Sequence, residues 1–82
     1  MIYQEKAIQK ESLEKFLHVL DSDEGVRIDN ESERIFINKT SKRYCINTSI
    51  NNKDEFVYKA STDEVMDFLK PHLKQTTKIF TY

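Results

Sequence analysis

The chain has 82 residues, a formal net charge of -1, one glycine, one proline and one cysteine. That length suits one domain near the lower end of what folds unaided, and a lone cysteine excludes an internal disulfide. Without Cys/His pairs at zinc-binding spacing, and with no charge bias toward nucleic acid or membrane, stability has to come from packing or self-association.

At the N-terminus Met1-Ile2-Tyr3 passes at once into Gln4-Glu5-Lys6, which is not the pattern of a signal peptide. No stretch approaches the roughly 20 apolar residues of a membrane span, so the expected location is cytoplasmic. Residues 2–8 read equally as an edge strand or a helix start. From Ser12 the pattern clears: Leu13, Phe16, Leu17 and Leu20 lie on one helical face, with Ser12 as the expected N-cap. Asp21-Ser22-Asp23-Glu24-Gly25 clusters turn formers and should end that helix. It resembles the opening of a calcium loop, but the glycine comes one position early and Ser32 stands where a bidentate Glu belongs. No metal site is expected.

Residues 26–60 alternate at period two, the spacing of strands that bury one side. One face collects Val26, Ile28, Ile35, Ile37, Tyr44, Ile46, Thr48, Phe56, Tyr58 and Ala60. The opposite face collects Arg27, Arg34, Phe36, Arg43, Cys45, Val57 and Lys59, together with Asp29 and Glu55. The connections are Asn30–Glu33 and Lys39–Lys42, both of hairpin length, and a longer polar loop from Ser49 to Asp54. A four-stranded antiparallel meander follows.

Ser61 and Glu64 have the spacing of a capping box opening a second helix, whose stripe is Val65, Met66, Phe68 and Leu69. Pro71 should end or kink that helix near Lys70. The tail from Lys78 to Tyr82 is β-prone; it either adds a strand to its own sheet or pairs across a homodimer. Both helices packed on one face of the meander give an α+β two-layer sandwich, one domain over residues 1–82.

Catalytic signatures are thin. One glycine cannot build a phosphate-cradling loop. Cys45 has no nucleophile motif around it, and His18 and His72 fall in segments expected to pack elsewhere. No cofactor is implied. The remaining feature is the second face, which uses all three arginines of the chain beside Phe36, Cys45 and Val57. Arginine offers planar bidentate recognition, and a neighbouring aromatic can anchor a protein contact or stack on a base. The expectation is a non-enzymatic binding or regulatory module that contacts a protein through this face or a sheet edge. Nucleic acid is the alternative, weakened by Asp29, Glu55 and the small number of stacking aromatics on that reading of the face.

Overall fold

The computed structural model describes residues 6–40 and 43–82, so residues 2–5 of the ambiguous first segment lie outside it. The elements in chain order are β1 (Lys6–Ile8), α1 (Lys10–His18), β2 (Gly25–Asp29), β3 (Glu33–Lys39), β4 (Tyr44–Ile50), β5 (Lys53–Lys59), α2 (Thr62–Leu69), a 3-10 turn (Lys70–His72) and β6 (Lys78–Thr81). The architecture is α+β: six strands form one antiparallel sheet in the order β1-β6-β2-β3-β4-β5, with two helices. Strands β2 to β5 follow one another in it, but the sheet has six strands where a four-stranded meander is expected. Two strands not counted in it, β6 and β1, extend it on the β2 side.

The tail therefore pairs within its own sheet, with Ile79 opposite both Ile28 and Ile8. Both sides of β6 are thereby occupied within the chain, by β1 and β2. Since β1 and β2 are each antiparallel to β6, they run parallel to one another. The unit β1-α1-β2 is thus a β-α-β crossover split by the C-terminal strand.

One core cluster joins the two layers. Leu13, Leu17 and Leu20 from the α1 region and Val65 and Leu69 from α2 meet Val26, Ile28, Ile35, Ile37, Tyr44, Ile46 and Ile79 of the sheet. All of these sheet residues point the same way, as their registers require. Both helices are therefore on one side. A polar knot sits inside this core: Tyr44 Oη donates to the Leu17 carbonyl at 2.6 Å and lies 3.0 Å from Thr62 Oγ1. It ties β4 to the end of α1 and the start of α2, so the buried hydroxyl is satisfied rather than costly.

Helix boundaries differ from expectation at one end. Helix α1 begins at Lys10 behind Gln9, whose side chain makes no capping bond, so Ser12 lies inside the first turn and does not cap. The short strand β1 ends at Ile8, and extended Gln9 turns the chain straight into the helix. Helix α2 starts as expected: Ser61 Oγ accepts from the Glu64 amide at 3.3 Å. The Glu64 carboxylate reaches back to the Ala60 amide at 3.1 Å, one residue earlier than in a standard capping box. Pro71 converts the end of α2 into a 3-10 turn.

Beyond that turn, a polar network ties residues 72–77 to the β2–β3 connection. Asn30 Nδ2 donates to Glu33 Oε1 at 2.7 Å and to the His72 carbonyl at 2.8 Å, and Thr77 bonds Asn30. His72 Nδ1 lies 3.0 Å from the same Glu33 oxygen, and its ring stacks on Phe68. His72 is thus half-buried with a partner. His18 is exposed on α1, with its Nδ1 3.5 Å from Thr62 Oγ1.

Candidate functional site

The three hairpins of the meander decide what the open face displays. Their registers pair Val26 with Ile37, Ile37 with Ile46, and Ile46 with Val57. In each pair the residue numbers sum to an odd value, so inward-facing positions switch between even and odd at every hairpin. Such switching belongs to connections with an even number of residues. The β4–β5 loop is Asn51-Asn52, both in the left-handed region at φ 52° and 65°, as a type I′ turn requires. Asparagine tolerates this conformation better than most residues.

The expected longer loop from Ser49 to Asp54 is therefore a correction, and it carries a second one. With Ile50 opposite Lys53, strand β5 is turned over relative to the sequence reading. Val57 faces the core beside Ile46, and Lys59 sits beside Tyr44 on the same side, with its Nζ 5.8 Å from the Phe68 ring centroid. Neither belongs to the outer face. Phe56 and Tyr58, expected inside, point outward and are 63% and 51% exposed. Ala60, also expected inside, is exposed.

The remaining expected residues do meet. Arg27, Arg34, Phe36, Arg43 and Cys45 share the face opposite the helices. Across the middle of the sheet the registers align Ala7, Phe80, Arg27, Phe36, Asn47 and Phe56 in one row spanning all six strands. A second row holds Asn38, Cys45 and Tyr58, ending at Gly25. Tyr82 exchanges backbone bonds with Gly25, and its ring covers the glycine so closely that a Cβ there would collide with it. The third row is Lys78, Asp29, Arg34, Ser49 and Asp54.

Three of these outer aromatics (Phe56, Tyr58 and Phe80) escaped the sequence reading. The first two needed the hairpin register, and Phe80 needed β6 placed beside β2. The signal for the register was present: Asn-Asn is a pair suited to positive φ at both loop positions.

The electrostatics of the face differ from those of the whole chain. Four cations (Arg27, Arg34, Arg43, Lys78) stand against two carboxylates (Asp29, Asp54), a net of +2 on a chain of net -1. Asp29 bridges two of the arginines, with Oδ2 3.1 Å from Arg27 Nε and Oδ1 3.2 Å from Arg34 Nε. The Oδ1 atom is shielded from solvent and makes no aligned hydrogen bond, so charge alone holds it to Arg34. Arg34 remains the most accessible of the two, with 60% of its side chain exposed.

The other guanidinium groups lie on rings. Arg27 sits 4.6 Å from the Phe80 ring centroid and Arg43 4.3 Å from that of Tyr58. Both are within the range of cation–π attraction, which orders long side chains across the sheet. At the end of the face near the Asn30–Glu33 and Asn51-Asn52 turns, Asp29, Arg34, Phe36, Ser49 and Lys78 line an open depression of about 990 Å³. Cys45 is half-buried in the second row, beside Asn38 and Tyr58. Among the described residues no group of three or more His, Cys, Asp or Glu side chains is placed to hold a metal ion. No helix among them is long and apolar enough to cross a membrane.

No protein-family model, curated protein or solved structure matches the chain.

Proposed function

We propose that the protein is a non-enzymatic binding module whose working surface is the outer face of the sheet, and that the surface engages a protein. The observation that carries this reading is one row across the sheet, Phe80-Arg27-Phe36-Asn47-Phe56, flanked by Tyr58 with Arg43. Aromatic residues and arginine are enriched among the side chains that dominate protein interfaces. Here they are gathered on the one layer that the fold's own helices do not cover.

A nucleic-acid interface uses the same residue types, so the arrangement has to choose between them. Stacking platforms need free ring faces and a strong positive field. On this surface Phe80 and Tyr58 already carry guanidinium groups, and Asp29 neutralises part of the charge of Arg27 and Arg34. Ordered, partly neutralised arginines beside apolar rings suit a protein partner, whose contact desolvates them.

Affinity purification of the tagged chain from its host, with single variants in parallel, tests this reading. Phe36→Ala should remove the co-purifying protein, and Arg34→Ala with Arg43→Ala should weaken it. Val19→Ala, an exposed apolar position at the end of α1, should leave it in place. Retention that instead collapses between low and moderate salt and follows single-stranded oligonucleotides would favour the nucleic-acid alternative. A partner retained equally by all variants would refute the assignment of the face.

A further inference from the structure

Strand β5 is the end of the sheet order, and among the described residues nothing pairs with its outer side. It is seven residues long and carries Phe56, Val57 and Tyr58 at its centre. Such an edge offers a row of free backbone groups to any extended segment. In a two-residue hairpin the residues flanking the loop exchange their backbone bonds, so Lys53, Glu55, Val57 and Lys59 direct theirs to β4. Asp54, Phe56 and Tyr58 direct theirs to the open edge.

We infer that β5 pairs antiparallel with β5 of a second copy about a two-fold axis at Val57, making one continuous twelve-stranded sheet. The side chains select that register. With Val57 opposite its own copy, Phe56 lies opposite the second copy's Tyr58, twice by symmetry, on the outer face. On the inner face Glu55 lies opposite the second copy's Lys59, again twice. Aromatic pairs and opposite charges directly across a ladder are each stabilising, and like charges in that position are destabilising. Phe56 and Tyr58 are also two of the three residues whose backbone groups point outward, so each Phe56–Tyr58 pair exchanges two backbone bonds.

Neighbouring registers fail on the same grounds. Centring on Phe56 sets Lys53 against Lys59 and Asp54 against Tyr58. Centring on Glu55 sets that carboxylate against its own copy. Centring on Tyr58 sets Val57 against Lys59 and leaves Phe56 opposite Ala60. Inward-facing charges on an edge strand ordinarily discourage pairing. Here Glu55 and Lys59 are of opposite sign and equally spaced about Val57, so the register centred there is the one that sets them against each other. A two-fold perpendicular to the sheet keeps both outer faces on the same side.

The inference shares Phe56 and Tyr58 with the proposed working surface, but Phe36 and Arg34 lie on strand β3 outside the contact, so variants there and charge variants at Glu55 and Lys59 test the two readings separately. Sedimentation equilibrium at about 100 μM tests it, a concentration that detects association down to the weak micromolar range. The wild-type chain should be a dimer. Glu55→Lys alone and Lys59→Glu alone each create two like-charge pairs and should weaken self-association at least about tenfold. Mixed together, they restore both Glu–Lys pairs and should form a heterodimer. Phe56→Pro removes an outward amide and the ring set against Tyr58 but no backbone bond to β4, so it should be monomeric with unchanged far-UV circular dichroism. A monomeric wild type overturns the inference. So do single charge variants that dimerise as tightly as the wild type, a mixture that associates no more tightly than either variant alone, or a folded Phe56→Pro that remains dimeric.

Discussion

Strands β3 and β5 are each seven residues long, yet they use the same alternation in opposite ways. In β3 the aliphatic Ile35 and Ile37 are wholly buried under the helices, and the outer side mixes Arg34, Phe36 and Asn38. In β5 only Val57 turns inward with an apolar side chain, between Glu55 and Lys59, while the two rings turn outward. The difference is one of position in the sheet. A central strand has helices above it and a neighbour on each side, so its inner side chains are fixed by the core. At the edge the inner face runs out from under the helices, and charged groups can stay wet there. The larger apolar side chains of β5 are then free to serve the open face.

This contrast can be broken by truncation. Ile37→Ala should cost about 2–5 kcal/mol, because it removes a fully buried side chain facing both Val26 and Ile46. Denaturant unfolding reads that loss directly; a change under 1 kcal/mol would mean the core is not where the fold puts it. The polar knot should matter next. Tyr44→Phe removes the shorter bonds to the Leu17 carbonyl and the Thr62 hydroxyl and leaves them their 3.5 Å contacts with the Leu20 amide and His18 Nδ1, for a loss of about 1–2 kcal/mol. Should thermal unfolding of Tyr44→Phe match the wild type, that hydroxyl does not join the two helices to β4.

A smaller effect belongs to the helix that roofs this side. Ser61→Ala removes the N-cap of α2 and should cost about 1 kcal/mol, whereas Ser12→Ala, no cap in the structure, should lie within about 0.5 kcal/mol of wild type. Equal losses at the two serines would reinstate Ser12 as a cap. Smallest of all should be Phe56→Ala in a monomeric sample. Its ring is mostly in water, so the unfolding midpoint should move by no more than about 0.5 kcal/mol. A loss as large as that of Ile37→Ala would place the ring in the core, as plain even-numbered parity suggests.

That last comparison shows what could be read from residues alone. The inner face of β2, β3 and β4 is legible because its apolar residues other than Tyr44 are aliphatic and recur at period two, and short connections left little freedom. The stripes of both helices are legible for the same reason, and Ser61 with Glu64 marks the start of α2. Strand β5 is misread because Phe56, Val57 and Tyr58 are three apolar residues in a row, so parity alone cannot orient them. The Asn51-Asn52 turn decides, and its two positive φ angles fix the register. Strand β6 is ambiguous in sequence because its neighbours, β1 and β2, lie about fifty residues or more away along the chain. The arginines of the candidate face are found early since all three share one parity pattern. Its aromatic half depends on strand order and turn geometry.

The central claim is that the outer face is left open by the fold for a protein partner, and Phe36→Ala measures this most directly when stability and partner retention are read on the same sample. The account predicts an unfolding free energy within about 1 kcal/mol of wild type together with at least about tenfold weaker capture of the partner. Undiminished capture, or a loss of capture that merely tracks unfolding of the variant, would contradict it.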